Sequence, residues 1–329
     1  MILEQIKPVT VNVFDCFLST IIPVAVVLGK NFELMFADSW IFDFKKKATD
    51  TESLGNRLIT SKSNSKDIYM LNHYHGINII KNDVNSFNDL LSIIENEMSK
   101  GMPVSIYIDT YYCPWTKLYK KYSMDHYCLV IGMDTDLQQL NCIDPYMTEK
   151  IETLPFDDLS KGFAKCFSFI NMGSNEVIID WSTILINAIS NVSSLEYNEN
   201  SFSKMRSFAN EILLSNNFIK EVQESDLYSC TLFIKLRQIC YSRINFSWSI
   251  RYISDKCSIP ELLQIAKKME ECGDLWRIIW MKISKLAYIN DNDVIHSSLL
   301  SISDAINKVA DFEEKICDDI LRLVNCIKN

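Results

Sequence analysis

The sequence predicts an α+β unit over residues 1–174, followed by an all-helical part over 175–329. Three observations predict it. At 329 residues the chain exceeds one typical domain. Up to about residue 175, short runs rich in aliphatic and aromatic residues alternate with helical periodicity and Gly or Pro turns, the mixture expected of sheet and helix together. Beyond that point long helical periodicities follow one another with few breaks. A content of 48% hydrophobic and 11% aromatic residues supplies side chains for a large core.

The first element is the helix within VNVFDCFLSTIIPVAVVLG. Asp15 is a favourable N-cap, Cys16 falls in the first turn, and Phe17, Leu18, Ile21 and Ile22 anchor the helix in the core. Pro23 predicts a kink. Ser86 to Lys100 reads as a second helix, with Phe87, Leu90, Leu91, Ile94 and Met98 at helical spacing, Ser86 and Asp89 as a cap, and Gly101 as the stop. Residues 103–109, 126–133, 139–144 and 166–171 read as strands. In the helical part, Phe202, Met205, Phe208, Ala209, Ile212 and Leu213 form one apolar stripe and Leu262, Leu263, Ile265, Ala266 and Met269 another; a further long helix follows Asp293. At least one face of these helices must pack on the first unit or on another subunit.

Charge and composition narrow the function. A net charge of −9, with no basic stripe and only Lys45-Lys46-Lys47 as a cluster, argues against nucleic acid. The longest apolar stretch, Phe17 to Gly29, contains Pro23 and falls short of the roughly 20 residues of a membrane span. No secretory signal pattern is evident, with Glu4 among the first residues and no small-residue cleavage site after the apolar run. Eleven cysteines without a CxxC pair fit reduced thiols in a cytoplasmic protein. Four histidines at neither finger nor HExxH spacing lead us to expect no metal, although His73-Tyr74-His75 places two close together.

His126 stands at the mouth of an apolar run and Asp144-Pro145 at the end of the next. A catalytic histidine needs a nucleophile on one ring nitrogen and an orienting group on the other. Cys16 answers the first need, because free N–H groups at a helix start favour negative sulfur. Asp144 answers the second if its strand lies antiparallel to that of His126. The plainer readings are a core cysteine and a simple Asp-Pro turn.

Taken together, Cys, then His on a strand, then Asp on the next resembles the papain-like peptidases of the bacteriocin-leader type. More specifically, DCFLST, GMPVSIYIDTYYCPW and DHYCLVIGMD…CIDPY resemble the BtrH N-terminal-like family, that of the butirosin side-chain acyltransferase. The resemblance covers roughly residues 8–172. It implies a papain-like fold, a central antiparallel sheet with an N-terminal nucleophile helix, in which Cys16 is the nucleophile, His126 the base and Asp144 its orienter. Papain-like peptidases commonly carry Gln six residues before the cysteine, where this chain has Thr10. Thr10 or Asn12, with the Cys16 backbone N–H, are then the candidate oxyanion donors.

The implied activity is that of an amide-forming acyltransferase. Cys16 takes an acyl group from the phosphopantetheine arm of an acyl or peptidyl carrier protein, and a small amine or diamine accepts it. No bound cofactor is expected. Tyr111, Tyr112 and Trp115 are candidate pocket residues, with Asp109 or Asp15 as partners for an ammonium. Phe246, Trp248, Trp276 and Trp280 are candidates for an aromatic wall supplied by the helical part. The alternatives are a cysteine peptidase and a non-catalytic module that binds a carrier protein.

Overall fold

The computed structural model describes residues 2–9, 12–46, 52–61, 65–173, 177–194, 199–214, 216–224 and 229–328. Thr10 and Lys47 lie outside the described residues. In chain order the elements are α1 (Cys16–Val27), β1 (Asp43–Phe44), α2 (Leu54–Arg57), β2 (Leu58–Ile59), α3 (Ser65–His75), β3 (Ile77–Asn82), α4 (Phe87–Ser99), β4 (Val104–Asp109), β5 (Asp125–Asp134), β6 (Gln139–Ile143), β7 (Ile151–Pro155), α5 (Phe156–Gly162) and β8 (Phe163–Asn171). The helices α6 (Trp181–Ser193), α7 (Ser201–Leu214), α8 (Asn216–Glu224), α9 (Thr231–Cys257), α10 (Glu261–Leu286) and α11 (Asn292–Lys328) follow.

The chain is mixed α+β and divides into two compact units, Met1–Phe32 with Ile68–Val177, and Glu33–Asp67 with Ile178–Asn329. This differs from a single boundary near 174, because Glu33–Asp67 goes with the helices.

The first unit holds an antiparallel sheet of order β3-β8-β4-β5-β6-β7. Its middle strands β4 and β5 include runs of consecutive buried residues, Val104 to Ile106 and Cys128 to Gly132. A strand covered on both faces reads as a continuous apolar run, which is why these two are evident in the sequence. The edge strands β3 and β7 are mostly half-buried or exposed and carry no such signal. Helix α4 matches its expected bounds, with Ser86 Oγ accepting from Asp89 N–H at 3.1 Å and Gly101 at φ +76° just beyond its end.

Helix α1 carries Cys16 as its first residue, and the Asp15 carboxylate accepts from the Leu18 N–H at 3.0 Å. Pro23 lies inside α1, which continues past it to Val27. The helix is seated on the sheet by Phe17, whose ring centroid is 5.1 Å from Tyr127 and 4.7 Å from Phe167, and by Thr20, which donates to Ser105 Oγ at 3.0 Å.

The second unit is built from α6–α11 together with β1, α2 and β2. Helices α9 and α10 approach closely at Gly273, where an added Cβ would stand 2.9 Å from the Cys240 carbonyl oxygen and 2.6 Å from Ile244 Cγ1. At its centre is a fully buried ion pair. Arg243 meets Glu313 through two N–H groups, at 2.9 and 3.0 Å, while the indoles of Trp40 and Trp276 donate to the same carboxylate at 2.7 and 2.8 Å. Arg243 also donates to the Ile41 carbonyl at 2.7 Å. Trp40 and Ile41 thus tie the segment after Phe32 to the helices, the physical reason for the discontinuous division. Phe246 lies 5.5 Å from Trp40 and Trp276 stacks on Phe42 at 5.7 Å. Both are fully buried in this unit's own core, so neither serves as an accessible wall. Trp248 meets Phe36 edge-on, and the indole N–H of Trp280 is buried without a hydrogen-bond partner.

Removing one member of a buried pair strands the other charge. Glu313→Ala should lower the unfolding free energy by about 3–5 kcal/mol in urea titrations. An Arg243→Met, Glu313→Leu double variant should recover only part of it, because two indole N–H groups then lack an acceptor.

Candidate active site

Three elements of the first unit converge on one carboxylate. Strand β6 ends at Ile143, paired with Leu129 of β5, so Asp144 follows directly beside the end of β5 that carries His126. His126 Nε2 lies 2.6 Å from Asp144 Oδ2; His126 is 2% exposed and Asp144 0%. The other oxygen, Oδ1, accepts from the backbone N–H groups of Tyr146 and Met147, both at 3.2 Å, the local turn that Asp favours. From the loop after β4, the Trp115 indole N–H donates to Oδ2 at 2.7 Å. A buried carboxylate therefore has four N–H donors, and its orientation is set by three of them independently of the histidine.

This pair governs the imidazole. Burial pushes the His126 pKa down. The charge of Asp144, its hydrogen bond, and the hydrogen bond and charge of Cys16 outweigh burial and raise the value to about 10. With Nε2 turned to Asp144, the nitrogen left for Cys16 is Nδ1. Cys16 is half-buried at the first position of α1, where the backbone N–H groups of the first turn have no partner within the helix. Tyr127, on the opposite face of β5 from His126, has its phenol pushed up by burial and then by the charges of Cys16 and Asp125.

The sequence candidates thus separate. Cys16, His126 and Asp144 come together. Trp115, expected as a pocket wall, instead serves Asp144 with its N–H. Tyr111 and Tyr112 form a short 3₁₀ turn, and the Lys120 ammonium lies over their rings at 5.4 and 4.6 Å. Asp109 caps that turn, accepting from the Tyr111 N–H at 2.8 Å and from Ser123 Oγ, so its carboxylate already has partners of its own. Asp15 holds the Leu18 N–H. Asn12 is exposed, four positions before the cysteine, and Thr10 lies outside the described residues. Reasoning from sequence missed Trp115 as a donor to Asp144, and no local pattern announces it.

Among the described residues no group of three His, Cys, Asp or Glu side chains converges as a metal site, and no helix is long and apolar enough to cross a membrane. Comparison of the chain with models of protein families found no match, and comparison with curated proteins found none either.

A proton held more tightly in the folded than in the unfolded state stabilises the fold. For His126 that contribution is complete below about pH 6.5, diminishes as the pH rises, and is lost above about 10. Asp144→Asn removes the charge that holds the proton and leaves burial to dominate. The stability of the wild type relative to this variant, from urea midpoints, should therefore decline between pH 6.5 and 10. A pH-independent difference would refute the charged pair.

Proposed function

We propose that the chain is a cysteine-dependent, amide-forming acyltransferase whose first unit is a papain-like catalytic domain. The observation that carries this reading is the buried His126–Asp144 pair with Cys16, at the capped start of α1, acting on the same imidazole. The six-stranded antiparallel sheet behind an N-terminal helix supports the same reading.

The Cys16 sulfur attacks the carbonyl of an acyl thioester on a carrier-protein phosphopantetheine arm. The tetrahedral adduct expels the pantetheine sulfur, which leaves with a proton from His126, and an acyl-Cys16 remains. A small amine or diamine then attacks the acyl carbon. His126 accepts the proton that the nitrogen loses, and the Cys16 sulfur leaves as amide forms. Negative charge on the carbonyl oxygen is met by the Cys16 backbone N–H at the helix start, with Thr10 or Asn12 as the side-chain donor. Asp144 orients the ring and stabilises its charge throughout without itself taking the proton. A thioester is easier to cleave than an amide, so the chemistry tolerates the absence of the glutamine usual in peptidases. The unpaired thiols, Cys16 among them, accord with a cytoplasmic setting.

Intact-mass measurement after incubation with acyl-loaded carrier protein tests this directly. The wild type should gain the acyl mass, Cys16→Ala should not, and added amine should discharge the adduct as amide. Peptide cleavage dependent on Cys16 would favour the peptidase reading, and carrier binding undiminished in Cys16→Ala without turnover by the wild type would favour the binding module. Amide formation retained by Cys16→Ala excludes the covalent route.

Iodoacetamide gives a second test. Most of the thiols are buried; burial pushes Cys166 and Cys240 up to about 12 and Cys317 to about 11. Cys326 is exposed and reacts for reasons of access alone, while half-buried Cys257 has its thiol pushed up by burial. In a Cys326→Ser background, the first equivalent of label should therefore fall on Cys16 and remove activity in proportion.

A further inference from the structure

The loop between β4 and β5, residues 110–124, is pinned at several points. The Thr110 N–H donates to the Met124 carbonyl at 3.0 Å, the Thr110 hydroxyl to the Tyr122 carbonyl at 2.8 Å, and the Lys120 N–H to the Tyr111 carbonyl at 3.0 Å. Two neighbouring side chains, Lys120 and Tyr119, tie this loop to α5. The Lys120 ammonium lies 2.6 Å from Asp158 of α5 and over the rings of Tyr112 and Tyr119 at 4.6 and 4.7 Å, while the Tyr119 hydroxyl donates to the other Asp158 oxygen at 2.9 Å. Lys120 takes this seat with a backbone φ of +56°, a conformation an L residue keeps only where its surroundings demand it. The same loop delivers Trp115 to Asp144.

We propose that Trp115 is a positioning residue for the His126–Asp144 pair and that Lys120, seated among the tyrosine rings and on Asp158, is the latch that keeps it in place. Trp115 and His126 share one oxygen of Asp144, at 2.7 and 2.6 Å. The indole N–H therefore draws on the charge that faces the imidazole, and it holds that oxygen towards the ring while the Tyr146 and Met147 N–H groups hold the other. The titratable groups that face the pair include Cys16 from α1, Tyr146, whose ring lies 6.2 Å from the imidazole, and the thiols on the Asp144 side. The Cys128 thiol is pushed up by its hydrogen bond to Cys142 and by burial, and the Cys113 thiol by burial and the charge of Asp144, so both stay protonated and supply no rival charge. The consequence for catalysis rests on the function proposed above; the effect on the histidine does not, because it is read without substrate.

The experiment is a pH titration of the full chain labelled with ¹⁵N-histidine, whose four histidines keep the spectrum simple, with His126 identified by the signal lost in His126→Gln. Trp115→Phe keeps the ring and removes the N–H. The oxygen then faces the imidazole undiluted, and the His126 inflection should move up by roughly 0.7 of a pH unit, about a fivefold change in proton affinity. Lys120→Met should shift it in the same direction and Lys120→Arg should restore it. The Trp115→Phe, Lys120→Met double variant should titrate like Trp115→Phe alone, since the latch acts through the indole. An unchanged inflection in folded Trp115→Phe overturns the positioning role, and an additive double variant overturns the latch. Should Trp115→Phe fail to fold, the lysine pair decides: a shift in Lys120→Met reversed in Lys120→Arg supports the proposal, and no shift overturns it. Failure of acyl transfer with these titration shifts intact would count against the function alone.

Discussion

A carboxylate sealed from water must be met by donors or give up its charge, and the first unit is arranged around meeting that demand at Asp144. Stripping a carboxylate of water costs several kcal/mol, and no single hydrogen bond of about 1 kcal/mol offsets it. Three elements contribute: β5 brings the imidazole, the turn after β6 brings two backbone N–H groups, and the loop after β4 brings an indole. The arrangement does more than satisfy the charge. With both oxygens engaged, the carboxylate cannot turn, and the imidazole is held with Nε2 inward and Nδ1 left for Cys16.

The second unit meets the same demand at Glu313 with a different cation, and the contrast separates structure from chemistry. There too a buried carboxylate accepts from tryptophan, two indoles in this case, but its charged partner is Arg243. A guanidinium does not release its proton in any accessible pH range, so the pair serves as a fixed cross-link between α9, α11 and the segment around Trp40. An imidazole beside Asp144 exchanges its proton within the range of ordinary chemistry, and a sulfur lies within its reach. One device, met by a permanent cation or by a titratable one, yields a core in one unit and a candidate reaction centre in the other.

The same contrast applies among the thiols. Cys113 and Cys128 lie behind Asp144 in an apolar setting with no access to solvent, where a negative sulfur is disfavoured. Cys16 alone combines partial access, the start of a capped helix and the neighbourhood of His126. Residue type carries little information at this level; placement relative to a helix end and a charge carries most of it.

The sequence by itself determined the elements whose signals are local. The Asp15 cap and the start of α1, the capped and Gly-terminated α4, the continuous apolar runs of β4 and β5, the apolar stripes of α7 and α10 and the long helix after Asp293 are all readable there, because each depends on residues one to four positions apart. It also pointed to Cys16, His126 and Asp144 as a set, through the capped helix start, the Asp-Pro stop and the resemblance of their order to that of papain-like peptidases. Only tertiary structure decided what long-range partners decide. The exposed edge strands β3 and β7 exist because β8 and β6 offer them unpaired backbone groups, and Glu33–Asp67 joins the helices because Trp40 and Ile41 bond to charges more than 200 residues away. Trp115 serves Asp144 for a like reason: a buried carboxylate recruits whichever donor the fold brings near, and that choice is made by packing across the chain, where no sequence period or spacing records it.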